Sequence, residues 1–341
     1  MTLPPGDRAA GCLLGLALGD ALGFVVEAAP PAAAAAYVEH ELRTGLGGAR
    51  GRPPFHPGQY SDDTQLAREL LLSIKDAGDF DPAAFARRVA GLFARGEAIG
   101  AGPGSRGAAE RLQAGVRWED AGTPGPYAGN GAAMRAGPLG ALYLRDPVRL
   151  AGVARDQALV THRDPRAVAG AVAVAGAVAI GARPGRLVAR AVLEELGELV
   201  RPVDESMGRT VAEVATWLGA GPGAAALRVA ALAEPGETAA WRSAERGGGG
   251  VSPFVVPSVA WSLYAFLRSP DDYWETICTA IAIGGDTDTL AAMAGAMAGA
   301  RLGPAALPAR MVDQLTDAGA WGGVALATLA RQCAALPLAG E

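Results

Sequence analysis

Two short stretches concentrate the oxygen donors of this chain. Ser61-Asp62-Asp63-Thr64 and Gly284-Gly285-Asp286-Thr287-Asp288-Thr289 each set two carboxylates among hydroxyls at the head of an apolar run. Helix capping accounts for part of the pattern, because Ser, Thr and Asp oxygens accept from the free amides of a first turn. On that view Asp288 is an N-cap and Asp286 a turn residue. One cap needs one oxygen, however, and these stretches offer four carboxylates plus the hydroxyls of Ser61, Thr64, Thr287 and Thr289. A hard divalent cation takes roughly six to eight oxygen ligands, and two nearby cations need two sets. Four carboxylates gathered without metal would repel and raise one another's pKa. A dinuclear Mg²⁺ or Mn²⁺ site removes that conflict.

Three further features carry chemistry. Glu27 follows Gly19-Asp20-Ala21-Leu22-Gly23 and the apolar Phe24, Val25 and Val26. An acidic residue there is either salt-bridged or functional, and a carboxyl among apolar neighbours tends to a raised pKa that suits proton transfer. The glycine loop from Gly100 to Gly104 reads as a connector, or as backbone amides facing a diphosphate. His162, lying between helices, reads by itself as structural.

Helices must position these groups. Asp81-Pro82, Asp146-Pro147 and Asp164-Pro165 are start signals, a cap followed by a first-turn proline. They predict helices to about Gly96, to Val160 and over 167–182. Asp7 is expected to cap a first helix ending near Leu18, where Gly19 to Gly23 interrupts it. Further helices are expected over 32–43, from Ser61 on, from Ser105 to Gly115, and over 132–144, 187–200, 211–218, 224–233, 258–267, 274–283 and 290–301. Two more centre near Met311 and Leu326. Residues 44–59, 123–131 and 235–253 are Gly/Pro-rich breaks. The last holds Gly247-Gly248-Gly249-Gly250, a linker or a lid over the cleft. With no convincing period-2 alternation, the fold class is all-α.

The chain has 341 residues, half of them hydrophobic and 19% charged, which makes it globular. We read residues 1–341 as a single domain. A net charge of −5 with no basic block argues against general nucleic-acid binding. Cys12, Cys278 and Cys333 form no metal spacing and suit buried thiols in a reducing cytosol. The apolar run 11–26 is broken by Asp20, and 167–182 falls short of the roughly 20 residues needed to span a bilayer. The expected location is cytoplasmic, with no membrane contact.

In order along the chain stand Gly19-Asp20-Ala21-Leu22-Gly23 with Glu27, Ser61-Asp62-Asp63-Thr64, Gly129-Asn130-Gly131-Ala132-Ala133-Met134-Arg135, Thr161-His162 and Gly284-Gly285-Asp286-Thr287-Asp288-Thr289. Five such motifs in this order resemble the ADP-ribosylglycohydrolase family, from about Arg8 to about Pro308. The resemblance implies a compact orthogonal multi-helix bundle around a central dinuclear metal cleft. It implies a hydrolase that cuts the N- or O-glycosidic bond of an ADP-ribosylated target, most simply a protein, with ADP-ribose as product. Ser61, Asp62, Asp63, Asp286, Asp288 and Thr289 would hold two divalent cations, Mg²⁺ or Mn²⁺. Glu27 would be the acid/base, and Gly102, Tyr127, Asn130 and His162 would contact the phosphates and riboses. Serine at position 61 departs from the common threonine, keeping the hydroxyl and losing a methyl.

Two rival classes use the same fold. One is a catalytically silent ADP-ribose-binding protein, against which the intact ligand set and Glu27 argue. The other is a metal-dependent phosphoesterase, which would need a phosphate beside both cations.

Overall fold

The Asp-Pro pairs do start helices. Asp81, Asp146 and Asp164 each accept from a first-turn amide, ahead of Pro82, Pro147 and Pro165. Our computed structural model describes residues 3–45, 50–233 and 249–338. Among these residues there are seventeen α-helices and no β-strand. The first nine are α1 (Pro5–Phe24), α2 (Pro31–Tyr37), α3 (Asp62–Ala77), α4 (Pro82–Ala94), α5 (Pro103–Gln113), α6 (Trp118–Ala121), α7 (Gly137–Leu142), α8 (Pro147–Leu159) and α9 (Pro165–Gly181). The rest are α10 (Ala189–Val200), α11 (Glu205–Glu213), α12 (Pro222–Ala230), α13 (Val255–Arg268), α14 (Tyr273–Ala282), α15 (Thr287–Leu302), α16 (Ala309–Val312) and α17 (Gly323–Ala334). A single π-helical turn, Val38–Leu42, extends α2.

The expected break in the first helix is absent. Gly19 and Gly23 lie inside α1, and they belong with Gly11 and Gly15 to one stripe of glycines four residues apart. Residues four apart share a helix face. A Cβ at Gly11, Gly15, Gly19 or Gly23 would run into the backbone carbonyl of Gly299, Gly295, Ala291 or Thr287, respectively. The partner numbers fall as the glycine numbers rise, so α1 and α15 lie antiparallel, backbone against backbone. This contact brings the end of α1, with Asp20, to the start of α15, with Asp286 and Asp288.

The core surrounds that pair. Every residue of α9 from Ala167 to Gly181 is buried, as expected of a helix with no polar face. It packs on α7, α8, α10, α13 and α15. Three other expectations shift. Residues 131–135 form turns, and only Gly137–Leu142 of the expected 132–144 helix is helical. The helix expected at 211 begins earlier, at Glu205, because Asp204 caps it by accepting from Met207 N. Neither Asp7 nor Ser105 is a cap: Asp7 lies in the first turn of α1, and Ser105 lies within α5 behind Gly102. Of the proposed lid, Gly247 and Gly248 lie outside the described residues. Gly250 packs on the Gly284-Gly285 backbone. No helix among the described residues is long and apolar enough to cross a membrane.

Candidate active site

The heads of α3 and α15 converge at the end of α1. Ser61 is the N-cap of α3: its Oγ accepts from Asp63 N at 3.3 Å and lies 3.2 Å from Asp63 Oδ2. Asp286 occupies the N-cap position of α15, so Asp288 sits inside the first turn rather than capping it. The two glycines ahead of it supply the turn. Gly284 and Gly285 have φ of 75° and 88°, a region that suits glycine. Their backbone is pinned on both sides, by Ala28 N donating to Gly285 O at 2.7 Å and by Asp286 N donating to Val251 O at 2.8 Å. Both helix heads direct free amides and dipole ends at the carboxylates, which favours negative charge there.

Five of the six expected oxygen ligands form one buried cluster around Asp288. Carboxylate oxygens of Asp20, Asp63 and Asp288 lie within 4.8 Å of one another, as do those of Glu27, Asp286 and Asp288. Asp288 belongs to both groups. Thr289 Oγ1 donates to Asp63 across the two helix heads at 3.3 Å, and Ser61 adjoins Asp63. Asp62 belongs to neither carboxylate group. It is buried beside them, its backbone N bound to Ile99 O at 2.7 Å, and it feels the charges of Asp20, Glu27 and Asp286.

Asp20 is the residue that sequence reasoning left unassigned. Fully buried, it accepts from Ser61 N at 2.9 Å, Thr64 N at 3.0 Å and Thr64 Oγ1 at 2.6 Å. It therefore caps α3 from a different helix. The signal for it is a single charged residue in the apolar, glycine-striped part of α1 that follows Arg8.

The cluster is electrostatically incomplete. Burial, and then the neighbouring carboxylates, push Asp62, Asp63 and Asp288 well above the usual carboxylate range. Burial pushes Asp286 up to about 7, opposed by the Asn130 hydrogen bond, and Asp20 up to about 6, opposed by Thr64 and Ser61. Among the described residues no arginine or lysine ion-pairs with any of these five aspartates. Hard oxygen donors, buried and without a cationic side chain, fit divalent cations. Glu27 differs: it is partly buried in an ion pair with Arg52. Its surroundings are thus charged rather than apolar.

The four expected substrate contacts divide. Asn130 donates to Asp286 Oδ2 at 2.6 Å and to Ser258 Oγ at 3.0 Å, so it holds a carboxylate of the cluster in place. Tyr127 and His162 stack, with ring centroids 6.0 Å apart, and Phe254 flanks Tyr127. Burial and the charge of Arg135 push His162 down to about 3, so its ring is neutral. Gly102 is exposed at the N-cap of α5, with open space where a Cβ would stand. Its neighbours face the site instead. A Cβ on Gly100 would stand 3.5 Å from Asp62 Oδ1, and one on Gly104 would overlap Tyr127 and His162.

Known proteins share this architecture. The chain is 31% identical over 312 residues to an uncharacterized protein of Archaeoglobus fulgidus, covering 90% of each chain. It is 28% identical to ADP-ribosylhydrolase ARH3 of Mus musculus, over 85% of this chain and 82% of that one. To the ADP-ribosyl-[dinitrogen reductase] glycohydrolase of Rhodospirillum rubrum it is 35% identical, over 47% of this chain and 52% of that one. A solved structure described as an ADP-ribosylglycohydrolase-related protein complex superposes with a TM-score of 0.70 at 29% identity, covering 97% of this chain and 98% of that one. Residues 1–339 match the ADP-ribosylglycohydrolase family as a whole, and the chain belongs to that family.

Proposed function

We propose that this protein is a hydrolase that removes ADP-ribose from an ADP-ribosylated target, a protein in the simplest case, by cutting the N- or O-glycosidic bond at the ribose. The observation that carries the reading is the sharing of Asp288 between two carboxylate groups, which suits a pair of divalent cations, Mg²⁺ or Mn²⁺, side by side. Ser61, Asp62, Asp63, Asp286, Asp288 and Thr289 would hold the pair, with Asp20 beside them. When bound, the cations would supply positive charge for the ribose hydroxyls and Lewis acidity toward a water.

The chain's own residues do the rest. Glu27 lies next to Asp286 and Asp288, ion-paired with Arg52, and from there it would reach the reacting ribose. It would take a proton from the attacking water or deliver one to the departing nitrogen or oxygen. Asn130 keeps Asp286 oriented, and Asp20 keeps the head of α3 in register. Tyr127 and His162 would flank the rest of the ADP-ribosyl group, beside the backbone amides that open α5. We take the chain as one domain, and its three unpaired buried thiols suit the cytoplasm.

The test is to incubate the protein with ADP-ribosyl-arginine, ADP-ribosyl-serine and O-acetyl-ADP-ribose in Mg²⁺, Mn²⁺ or EDTA, and to follow the products. Cation-dependent release of free ADP-ribose is expected from at least one conjugate. Binding with no release would make the protein a silent ADP-ribose binder, and release of AMP would make it a phosphoesterase.

A further inference from the structure

Arg135 is fully buried, yet no carboxylate among the described residues ion-pairs with it. Its guanidinium is held by dipoles and a ring. Nε donates to Gln157 Oε1 at 2.8 Å, Nη1 to Gly131 O at 3.1 Å, and Nη2 to Gln157 O at 2.9 Å. The Phe85 ring centroid lies 5.1 Å away. The remaining contact runs from Nη2 to Thr161 Oγ1 at 2.7 Å. Thr161 is itself fully buried, and among the described residues its Oγ1 has one other partner, His162 Nδ1 at 2.8 Å.

Proton positions follow from this pair of contacts. A guanidinium only donates, so Thr161 Oγ1 accepts from Arg135. The hydroxyl's own proton then needs an acceptor, because an unmet buried donor costs free energy. His162 Nδ1 is the acceptor within reach among the described residues. A protonated Nδ1 would leave the hydroxyl proton stranded, so Nδ1 carries no hydrogen. A neutral imidazole holds one proton, which falls to Nε2. That atom lies against three glycines, beside the Tyr127 ring and Ser105. A Cβ on Gly104, Gly129 or Gly131 would stand 2.7, 3.2 or 3.3 Å from it.

We propose that Arg135 and Thr161 are positioning residues that fix His162 as its Nε2–H tautomer, aiming one neutral hydrogen-bond donor at an oxygen of the ADP-ribosyl group above Gly104, Gly129 and Gly131. The proposal rests on the reading of His162 as a substrate contact. The low proton affinity of the ring agrees with it, since a second cation beside Arg135 is unfavourable. A neutral donor distinguishes an oxygen from a donor group without acting as a general attractor for anions.

The experiment labels the three histidines, His40, His56 and His162, with ¹⁵N in the full chain and reads long-range ¹⁵N–¹H correlations with and without ADP-ribose. Wild-type His162 should show a protonated Nε2 and a bare Nδ1, and ADP-ribose should shift the Nε2 resonance. Thr161→Val should redistribute the tautomers and weaken ADP-ribose binding about 3- to 10-fold, the scale of one neutral hydrogen bond. Thr161→Ser should restore both. Arg135→Met is the companion variant, and if it fails to fold the threonine pair still decides. A protonated Nδ1 in the wild type, or an unchanged tautomer and affinity in Thr161→Val, overturns the relay. A protonated Nε2 that ignores bound ADP-ribose overturns the donor role and the substrate contact, while the release assay judges glycohydrolysis independently.

Discussion

Arg52 ion-pairs with Glu27 from the irregular segment that leads to Ser61, and its guanidinium lies over the Phe24 ring at 4.5 Å. The segment ahead of α3 thus grips the acidic group that follows α1. Glu27 faces Asp286 and Asp288 on one side and a cation on the other. The arrangement sets an arginine against the mutual repulsion of neighbouring carboxylates.

Glu27→Gln should separate chemistry from binding. Glutamine keeps size and hydrogen bonding but transfers no proton at neutral pH. Turnover should fall by on the order of 10²- to 10⁴-fold. ADP-ribose affinity should change by less than about tenfold, or roughly 1.4 kcal/mol. Parallel losses of turnover and melting temperature would instead make Glu27 a buttress, and near-normal turnover would end its proposed role.

Asp288→Asn should act with opposite signs in the presence and absence of cations. It removes one charge from a crowded cluster, so in EDTA the variant should melt at or above the wild-type temperature. With Mg²⁺ or Mn²⁺ the wild type should gain stability and the variant little or none. Activity should be lost. Equal cation-induced melting shifts in both proteins would count against the shared carboxylate.

Gly19→Ala inverts the usual helix rule. An alanine normally stabilises a helix interior by roughly 0.5–1 kcal/mol over glycine. Here its methyl would overlap the backbone of Ala291, and we expect a loss of about 1–3 kcal/mol in urea denaturation. Gly152→Ala in α8 is the control, since open space surrounds that site. It should be neutral or stabilising, and an equal loss in both variants would refute the packing role.

His162 should make the protein acid-sensitive. Its folded pKa, about 3, lies below the ordinary value of 6.5. The unfolded chain therefore binds the proton first, and this stability, present above the unfolded value, is lost as pH falls toward 3. Between pH 7.5 and 5 the loss from this group is about 2 kcal/mol. Denaturant titrations of His162→Gln at the two pH values should show a correspondingly smaller difference than the wild type. An identical difference would mean that the ring charges in the folded state.

Local chemistry made much of this legible. Asp-Pro pairs and Asp caps act within a few residues, so α4, α8 and α9 start where expected. The doubled oxygen sets pointed to a shared cluster because caps alone leave most of them unused. What failed depended on distant backbone. Gly19 and Gly23 look like a helix break until α15 is known to press on them. Asp20 looks like part of a motif until Ser61 and Thr64 donate to it. Gly100, Gly102 and Gly104 look alike in sequence, and only the fold turns Gly100 and Gly104 toward the site and Gly102 to open space.

The antiparallel stripe between α1 and α15 also sets an order of events during synthesis. During synthesis α1 is made with bare glycines where its partner belongs, and that partner follows 264 residues later, as the Thr287 to Gly23 contact marks. Asp20 and Asp63 can meet early, but Asp288 arrives last. If the cluster holds cations, the growing chain would offer them no complete site, and the late docking of α15 would bring the long-range closure and the full set of carboxylates together in one step.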